Sequence, residues 1–233
     1  MKRGLPVVAI DGPAGAGKTT VTRRVAEALG FTLVDTGALY RAVALAAQRA
    51  GASWEDSVAV GEVAGQLAQA NRIRFDAAGV LLLDDEDISQ LIRTQSIADG
   101  ASKVSAIPAV REALLEMQRA QGRAGGVVLE GRDIGTVVFP DAEAKFFLTA
   151  SVAVRAARRY AELRSKGAQT TLQAVQDEVM ARDARDTTRP VAPLRQADDA
   201  ILVDSSDTDI DGVVAQIVER VRQVEAALGA GRR

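Results

Sequence analysis

Residues Gly12–Thr19 read Gly-Pro-Ala-Gly-Ala-Gly-Lys-Thr, and this stretch decides the fold. It follows the apolar run Val7–Ile10 and opens a helical stretch, the context in which the pattern G-x-x-x-x-G-K-[ST] is meaningful. Its glycines allow a tight turn that points several backbone N–H groups at one anion, and the next helix adds its positive end. The pattern predicts a loop that binds nucleoside triphosphates. The alternative is a glycine-rich turn that only caps the helix and leaves Lys18 in solvent.

Side chains of this loop have separate predicted tasks. Lys18 supplies a mobile charge to the β- and γ-phosphates, and the Thr19 hydroxyl is a candidate ligand for Mg²⁺. The predicted nucleotide-binding residues are those of the loop and the threonine after it: Gly12, Pro13, Ala14, Gly15, Ala16, Gly17, Lys18, Thr19 and Thr20.

Composition excludes several kinds of chemistry. The 233 residues suit one domain with an insertion or two small domains. The chain is 47% hydrophobic but only 3% aromatic, so its core must be aliphatic. It contains no cysteine and no histidine. Disulfides, thiol catalysis, Ser-His-Asp triads and most zinc sites are therefore excluded.

Charge and hydropathy set expectations for location and partners. The net charge is −2, so bulk attraction to nucleic acid is not expected. No apolar run approaches membrane-spanning length, and Met1–Pro6 leads into a strand without the apolar region of a signal peptide. We therefore expect a cytoplasmic protein without nucleic-acid or membrane partners. Because no hydrophobic seam is sustained, we also expect a monomer.

Short apolar runs alternate with helical stretches along most of the chain. Strands are predicted at residues 7–11, 31–34, 127–130, 144–149 and 201–204. Helices are predicted at 20–29, 38–50, 54–70, 108–119, 151–166 and 172–185, followed by a last helix whose apolar residues recur from Ile210 to Leu228. This order predicts an α/β fold with a parallel five-stranded sheet flanked by helices, and ligands at the carboxyl ends of its strands.

The stretch Arg72–Ile97 departs from this alternation. Two short runs with strand-forming residues, Ile73–Asp76 and Val80–Leu83, lie on either side of a short turn with a glycine. That arrangement predicts a hairpin, so this stretch is expected to be a small antiparallel insert.

Three charged clusters follow predicted strands or helices: Asp35–Arg41, Glu130–Asp133 and Arg182–Arg189. Charges that flank a glycine just after an apolar strand favour ligand contact over packing. Each cluster also has a simpler interpretation for at least one member. Thr36 could only cap a helix, and Arg182 and Asp186 could form a surface pair four residues apart.

A basic helix and turn occupies residues 151–170 and contains Arg155, Arg158, Arg159, Arg164 and Lys166. These side chains either form a solvated face or belong to a mobile lid that neutralises phosphates during transfer. Phosphoryl transfer has a loose transition state, so positioning and charge neutralisation matter more than a strong base. A chain with this loop, many arginines and no histidine therefore suits a small nucleotide kinase.

These residues resemble the bacterial cytidylate kinases, and the similarity extends along nearly the whole chain. The most specific match is the block Gly131–Asp141. The other matching stretches are residues 10–18, 35–41, 101–104, 110–114 and 182–186. The resemblance implies a phosphate-loop NTPase-type fold forming one kinase domain over 1–233, with a nucleoside-monophosphate-binding insert at 72–97 and a lid at 151–170. It implies transfer from ATP to CMP or dCMP, with Mg²⁺.

The resemblance also implies residue roles. Catalysis would fall to Lys18, Arg132, Arg158, Arg159 and Arg189. Arg41, Arg132 and Arg189 would hold the α-phosphate of CMP, while Arg182 and Asp186 would meet its sugar. Ser102, Arg111 and Asp133 would contact the cytosine edge. Thr36 stands where the family often has serine near the ribose, and it keeps the hydroxyl.

Two further positions depart from the family pattern. Glu130 replaces an expected aspartate, and Thr19 stands where some members have no hydroxyl, which weakens its role as metal ligand. A GTPase is disfavoured because Asn71, the only asparagine, is followed by Arg72 rather than by the Lys-x-Asp of a guanine-reading motif. A UMP or AMP kinase and a non-catalytic nucleotide-sensing module remain as alternatives.

Overall fold

The computed structural model describes residues 3–76 and 79–230 and contains eight strands and eight α-helices in that part of the chain. The strands are β1 Val7–Asp11, β2 Thr32–Asp35, β3 Ile73–Phe75, β4 Leu81–Leu83, β5 Glu86–Asp87, β6 Val127–Gly131, β7 Ala144–Thr149 and β8 Ile201–Asp204. The helices are α1 Lys18–Leu29, α2 Thr36–Arg49, α3 Ser57–Gln69, α4 Gln95–Val104, α5 Pro108–Gly122, α6 Val152–Ser165, α7 Leu172–Thr188 and α8 Ile210–Ala230.

The chain divides into two compact units. One, called the sheet unit, comprises residues 1–34 and 121–233, and the other, called the helical unit, comprises residues 35–120. No helix among the described residues is both long and apolar enough to cross a membrane.

The sheet unit is built on five strands in the order β2-β6-β1-β7-β8. β1 lies in the middle and pairs in parallel with β6 on one side and β7 on the other, and β7 pairs in parallel with β8. Strand β1 is buried throughout because helices cover the sheet, which explains why its sequence is a continuous apolar run. The predicted α/β fold with a parallel five-stranded sheet is confirmed.

The last helix packs its apolar side into the core of the sheet unit. Val214, Ile217 and Val221 are buried there, as the spacing predicts. Ile210, the first residue of the predicted stripe, is instead 46% exposed because it begins the helix. The periodicity therefore identified the helix correctly but extended its buried face too far.

The helical unit has its own aliphatic core. α2 lies at its centre, and residues such as Ala42, Val43 and Ala47 are fully buried. A separate sheet, β3-β4-β5, is antiparallel, with Ile73 opposite Leu83 and Phe75 opposite Leu81. The stretch read as a hairpin is thus a three-stranded antiparallel sheet, and residues 77 and 78 of its turn lie outside the described residues.

Several element boundaries differ from the sequence prediction. The helix expected from residue 54 begins at Ser57 because the Asp56 carboxylate caps it by accepting from the amides of Val58 and Ala59. Helix α4 is absent from the prediction, although the Thr94 hydroxyl that accepts from the Ile97 amide is a normal start signal.

Helix α4 approaches Trp54 closely, and Gly100 makes this approach possible. A Cβ at Gly100 would lie 2.5 Å from the indole ring. The ring itself is fixed, because its Nε1 donates to the carbonyl of Ala44 at 2.9 Å.

We therefore expect Gly100→Ala to lower the free energy of unfolding by about 1–3 kcal/mol, since the new methyl overpacks the site. The control is Gly65→Ala in α3, where a Cβ meets nothing within 4 Å. That change should stabilise the protein by about 0.5–1 kcal/mol by favouring the helix. Urea denaturation of both variants measures the difference, and equal stabilities would contradict the tight contact.

Candidate active site

The glycine-rich loop lies between the carboxyl end of β1 and the start of α1, in the sheet unit. A Cβ at Gly12 would fall 1.9 Å from the carbonyl oxygen of Leu148, so no other residue fits there. Gly15 and Gly17 have φ angles of 76° and 87°, in the left-handed region that favours glycine. Helix α1 begins at Lys18 with no side chain capping it. Its first amides therefore face the loop, which suits an anion.

Lys18 is not a solvated lysine. It is only 7% exposed, and its ammonium group donates to the carbonyls of Gly12 and Pro13, both at 2.7 Å. Burial, followed by the nearby Arg132 guanidinium, holds the pKa of Lys18 well below its ordinary value. A negative ligand at this point would offset both effects, so the position suits a phosphate group.

Thr19 and Glu130 bring two oxygen donors together next to Lys18. The Thr19 hydroxyl donates to the Glu130 carboxylate at 3.1 Å. Mg²⁺ prefers oxygen ligands and usually takes only one or two from protein, with phosphates and water completing its shell. The donor pair fits a nucleotide-bound magnesium ion. Among the described residues no group of three or more acidic or other metal-binding side chains forms a separate metal site.

A π-helical turn, Ile134–Val138, follows β6 and was missed by the sequence prediction. The carboxylate of Asp11, at the end of β1, accepts from the amides of Ile134 and Gly135 at 2.8 and 2.7 Å. Asp11 is almost fully buried, and this desolvation raises its pKa to about 6 in spite of the two backbone hydrogen bonds. The segment that carries Arg132 and Asp133 is therefore fixed to the central strand.

The sheet unit gathers five of the predicted acceptor residues around two ion pairs. Arg132 Nε donates to Asp186 at 2.8 Å, and the Arg189 guanidinium donates to Asp133 at 3.2 Å. Asp186 is 4% exposed. Burial opposes its ionisation, yet the positive charges of Arg132, Arg182 and Arg189 hold its pKa below the ordinary value.

Asp186 is therefore not half of a solvated pair with Arg182. Its hydrogen-bonded partner, Arg132, comes from the turn after β6, 54 positions away in sequence. The predicted residues Arg132, Asp133, Arg182, Asp186 and Arg189 belong to one cluster.

The basic helix α6 contains one arginine whose place was not predicted. Arg155 is buried and donates to both oxygens of Asp183 at 3.1 and 2.6 Å. The same guanidinium donates to the carbonyls of Ala14, in the phosphate loop, and Ala150, at the end of β7. Arg155 thus joins α6, α7 and the loop. Sequence reasoning placed it only in a basic group, because its partners are distant in the chain.

The two arginines predicted for the lid have other partners here. Arg158 donates to the hydroxyl and the carbonyl of Ser205 at 3.0 and 2.6 Å, which holds it against the segment after β8. Arg159 pairs with Glu162 on its own helix at 2.7 Å. Their role in phosphate neutralisation stays a prediction.

The helical unit holds the other predicted residues in ordered positions. Thr36 is buried at the start of α2, and the cap position before it belongs to Asp35 rather than to Thr36. Arg41 pairs with Asp35. Its Nε is buried and has no hydrogen-bond partner in the part of the chain that the structure describes. Such an atom is available to a bound anion.

Ser102 and Arg111 are buried in the same unit. The Arg111 guanidinium lies 5.4 Å from the centre of the Tyr40 ring and donates to the carbonyl of Ser105 at 3.2 Å. These contacts give the guanidinium a fixed orientation, which a residue that reads a base edge needs. Tyr40 was not predicted as a site residue, since an aromatic residue in a helix is usually a core residue.

Comparison with known proteins gives a consistent result. A family model described as cytidylate kinase matches residues 8–223. The cytidylate kinase of Syntrophotalea carbinolica is 49% identical over 220 residues, covering 94% of this chain and 92% of that protein. The cytidylate kinase of Pseudomonas paraeruginosa is 47% identical over 224 residues, covering 96% and 98%.

A solved structure of an uncharacterized protein from Eubacterium ventriosum shows the same fold. It has a TM-score of 0.50 and 13% identity, and the match covers 93% of this chain and 98% of that one.

We expect Arg155→Lys to lower the free energy of unfolding by about 1–3 kcal/mol and to weaken ATP binding. Lysine cannot make both hydrogen bonds to the Asp183 carboxylate and at the same time donate to the Ala14 carbonyl. The control is Arg49→Lys, which breaks an equally forked but exposed pair with Glu86 and should cost less than about 1 kcal/mol. Thermal unfolding and equilibrium ATP titration measure both effects. Similar losses in the two variants would contradict the role given to Arg155.

Proposed function

The chain belongs to the cytidylate kinase family, and on this premise we propose that it transfers the γ-phosphoryl group of ATP to CMP or dCMP. The products are ADP and CDP or dCDP. The observation that carries the proposal is the charged cluster of the sheet unit, in which the buried Lys18 lies near the half-buried Arg132 and Arg182 next to the phosphate loop. So much positive charge beside an anion-binding loop suits the transfer of a phosphoryl group.

The donor side of the reaction rests on the loop and α1. The backbone amides and the Lys18 ammonium group would hold the β- and γ-phosphates of ATP, and Lys18 would leave its two carbonyl acceptors to do so. Thr19 and Glu130 would hold Mg²⁺, which when bound neutralises charge on the phosphates. Glu130 thereby keeps the carboxylate that the family pattern expects, with a longer reach.

The acceptor phosphate is assigned to arginines. Arg132 and Arg189 would exchange their carboxylate partners for the α-phosphate of CMP, and Arg41 would contribute its buried Nε. The released Asp186 carboxylate would accept hydrogen bonds from the sugar hydroxyls, and the Arg182 guanidinium would donate to them. Because the transition state is loose, orientation and charge neutralisation supply the catalysis and no histidine base is needed.

The base is assigned to Ser102, Arg111 and Asp133. A hydroxyl, a guanidinium and a carboxylate can satisfy the O2, N3 and exocyclic amine of cytosine. Asp133 would accept from the amine, which uracil lacks, so this residue would discriminate against UMP. Thr36 would lie near the ribose and phosphate, where its hydroxyl serves as the usual serine does.

The remaining assignments follow from the family. Residues 72–97 would act as the nucleoside-monophosphate-binding insert and residues 151–170 as the lid, with Arg158 and Arg159 neutralising phosphate charge on closure. The whole chain would be one kinase domain. We further propose that it works as a monomer in the cytoplasm, since substrate and cofactor are small soluble molecules.

A panel of acceptors tests the proposed function. With Mg-ATP, we expect CMP and dCMP to be phosphorylated much faster than UMP or AMP, and a coupled assay for ADP measures each rate. A preference for UMP or AMP would contradict the proposed recognition of cytosine, and the protein would then be a kinase of another specificity. ATP binding with no transfer to any acceptor would favour a nucleotide-sensing module.

Arg132→Ala tests the acceptor site directly. We expect kcat/KM for CMP to fall by roughly 10²–10³-fold, the usual loss for one preorganised charge donor, while ATP affinity changes little. The control is Arg24→Ala, which removes an exposed arginine paired with Asp211 and should leave both constants unchanged. Near-normal turnover of Arg132→Ala would show that the acceptor phosphate is held elsewhere.

A further inference from the structure

The π-helical turn after β6 obtains its cap from another strand. Asp133 occupies the position that normally caps such a turn, but its side chain makes no capping hydrogen bond. The two first amides, of Ile134 and Gly135, are bonded instead by the carboxylate of Asp11. This is unusual, because an aspartate before a helical turn is one of the preferred capping residues and generally bonds its own backbone.

Helix α3 shows the ordinary arrangement in the same molecule. Asp56 precedes that helix, and its carboxylate accepts from the amides of Val58 and Ala59 at 3.1 and 3.0 Å. Asp56 is thus fully engaged by its own backbone. Counted from Asp133, the equivalent amides are those of Gly135 and Thr136, and Asp11 already holds the amide of Gly135. The comparison indicates that Asp133 would turn toward its own backbone if Asp11 did not hold that amide.

The Asp133 carboxylate is directed elsewhere. It lies 3.2 Å from the Arg189 guanidinium, and both side chains are buried. The side chain is therefore part of the charged cluster rather than of the turn. This placement agrees with its proposed use on the cytosine amine.

We propose that Asp11 is a positioning residue that caps the Ile134–Val138 turn in place of Asp133 and so keeps the Asp133 carboxylate available to the acceptor base. The inference rests on the proposed function for the identity of that base. Asp11 acts only through Asp133, and it touches neither nucleotide.

Rigidity makes Asp11 suitable for this task. Its backbone belongs to the central strand, where it pairs with Gly131 on one side and Phe147 on the other. The side chain is short and buried, so its oxygens cannot follow a moving loop. Gly135 adds a spatial requirement, because a Cβ there would lie 3.4 Å from the Asp11 carboxylate and 3.2 Å from the Lys145 side chain.

The substitution of Asp11 by asparagine disturbs the cap of the turn without a large change in packing. Asp11→Asn keeps the size of the side chain but turns an N–H₂ group toward one of the two backbone amides, so one donor faces another. The turn then needs a new acceptor, and the Asp133 carboxylate is the nearest in sequence. Its reorientation would withdraw it from the base.

The experiment compares kcat/KM for CMP and UMP in the full chain carrying Asp11→Asn, Asp133→Ala or both changes. We expect Asp11→Asn to reduce the CMP to UMP preference about tenfold, as for one hydrogen bond to a charged group, with the KM for ATP nearly unchanged. In the Asp133→Ala background, Asp11→Asn should not change the preference further, because Asp11 works through Asp133. Asp56→Asn, which weakens an ordinary cap, should not change it in either background.

Amide NMR signals give a readout that does not depend on activity or on the folding of Asp11→Asn. In Asp133→Ala, the amide protons of Ile134 and Gly135 should keep their hydrogen-bonded shifts and slow exchange, because Asp11 still holds them. Loss of those signals would show that Asp133 caps the turn in solution, which would overturn the proposal.

An unchanged ratio of kcat/KM for CMP and UMP in Asp11→Asn, whether or not both values fall, would also overturn the proposal. Failure of the proposed function appears differently, as a wild-type protein that does not favour CMP. In that case the NMR result alone decides whether Asp11 replaces Asp133 as the cap.

Discussion

Buried positive charge is the constraint on which the candidate site depends. A cation removed from water is costly unless it is paired or hydrogen-bonded, and the sheet unit holds several buried or half-buried cations. Each has a defined partner: Lys18 has two carbonyls of its own loop, Arg132 has Asp186, Arg155 has Asp183, and Arg189 has Asp133. The partners lie in the loop, in α7 and in the turn after β6, while Arg155 comes from α6. Pairing these charges therefore also fixes the loop, the turn after β6 and helices α6 and α7.

The same pairing explains how an arginine-rich site can exist before a nucleotide arrives. Carboxylates such as Asp186 occupy guanidinium groups that phosphate would otherwise neutralise. In the proposed reaction, an entering phosphate would replace one anion by another, so the arginines would not need to be desolvated again and electrostatic preorganisation would be retained. Arg155 differs, because its four hydrogen bonds join structural elements and leave it fully used. Arginines that look alike in the sequence thus differ in their surroundings, and in the proposed function they would serve two purposes.

Much of the fold could be predicted because it follows from local patterns in the sequence. The strands β7 and β8 have the predicted bounds, and the α8 stripe identified its helix, since period and composition act over a few residues. Helix α4 and the π-helical turn were missed. Gly100 weakens the helical pattern of α4, and contact with Trp54 compensates for it only in the folded unit. The π-helical turn depends on a carboxylate 123 positions away.

By itself the sequence determined the chemistry: a loop that fits phosphate, arginines in excess, no histidine, and motifs specific to one kinase family. These are properties of residue type and short spacing, which need no knowledge of distant contacts. Only the tertiary structure decided which charges are buried and which groups hold them. It placed Lys18 on its own loop, made Arg155 a structural connector and let Asp11 cap a turn that Asp133 begins. Burial and pairing depend on residues far apart in the chain, and for that reason no local pattern could reveal them.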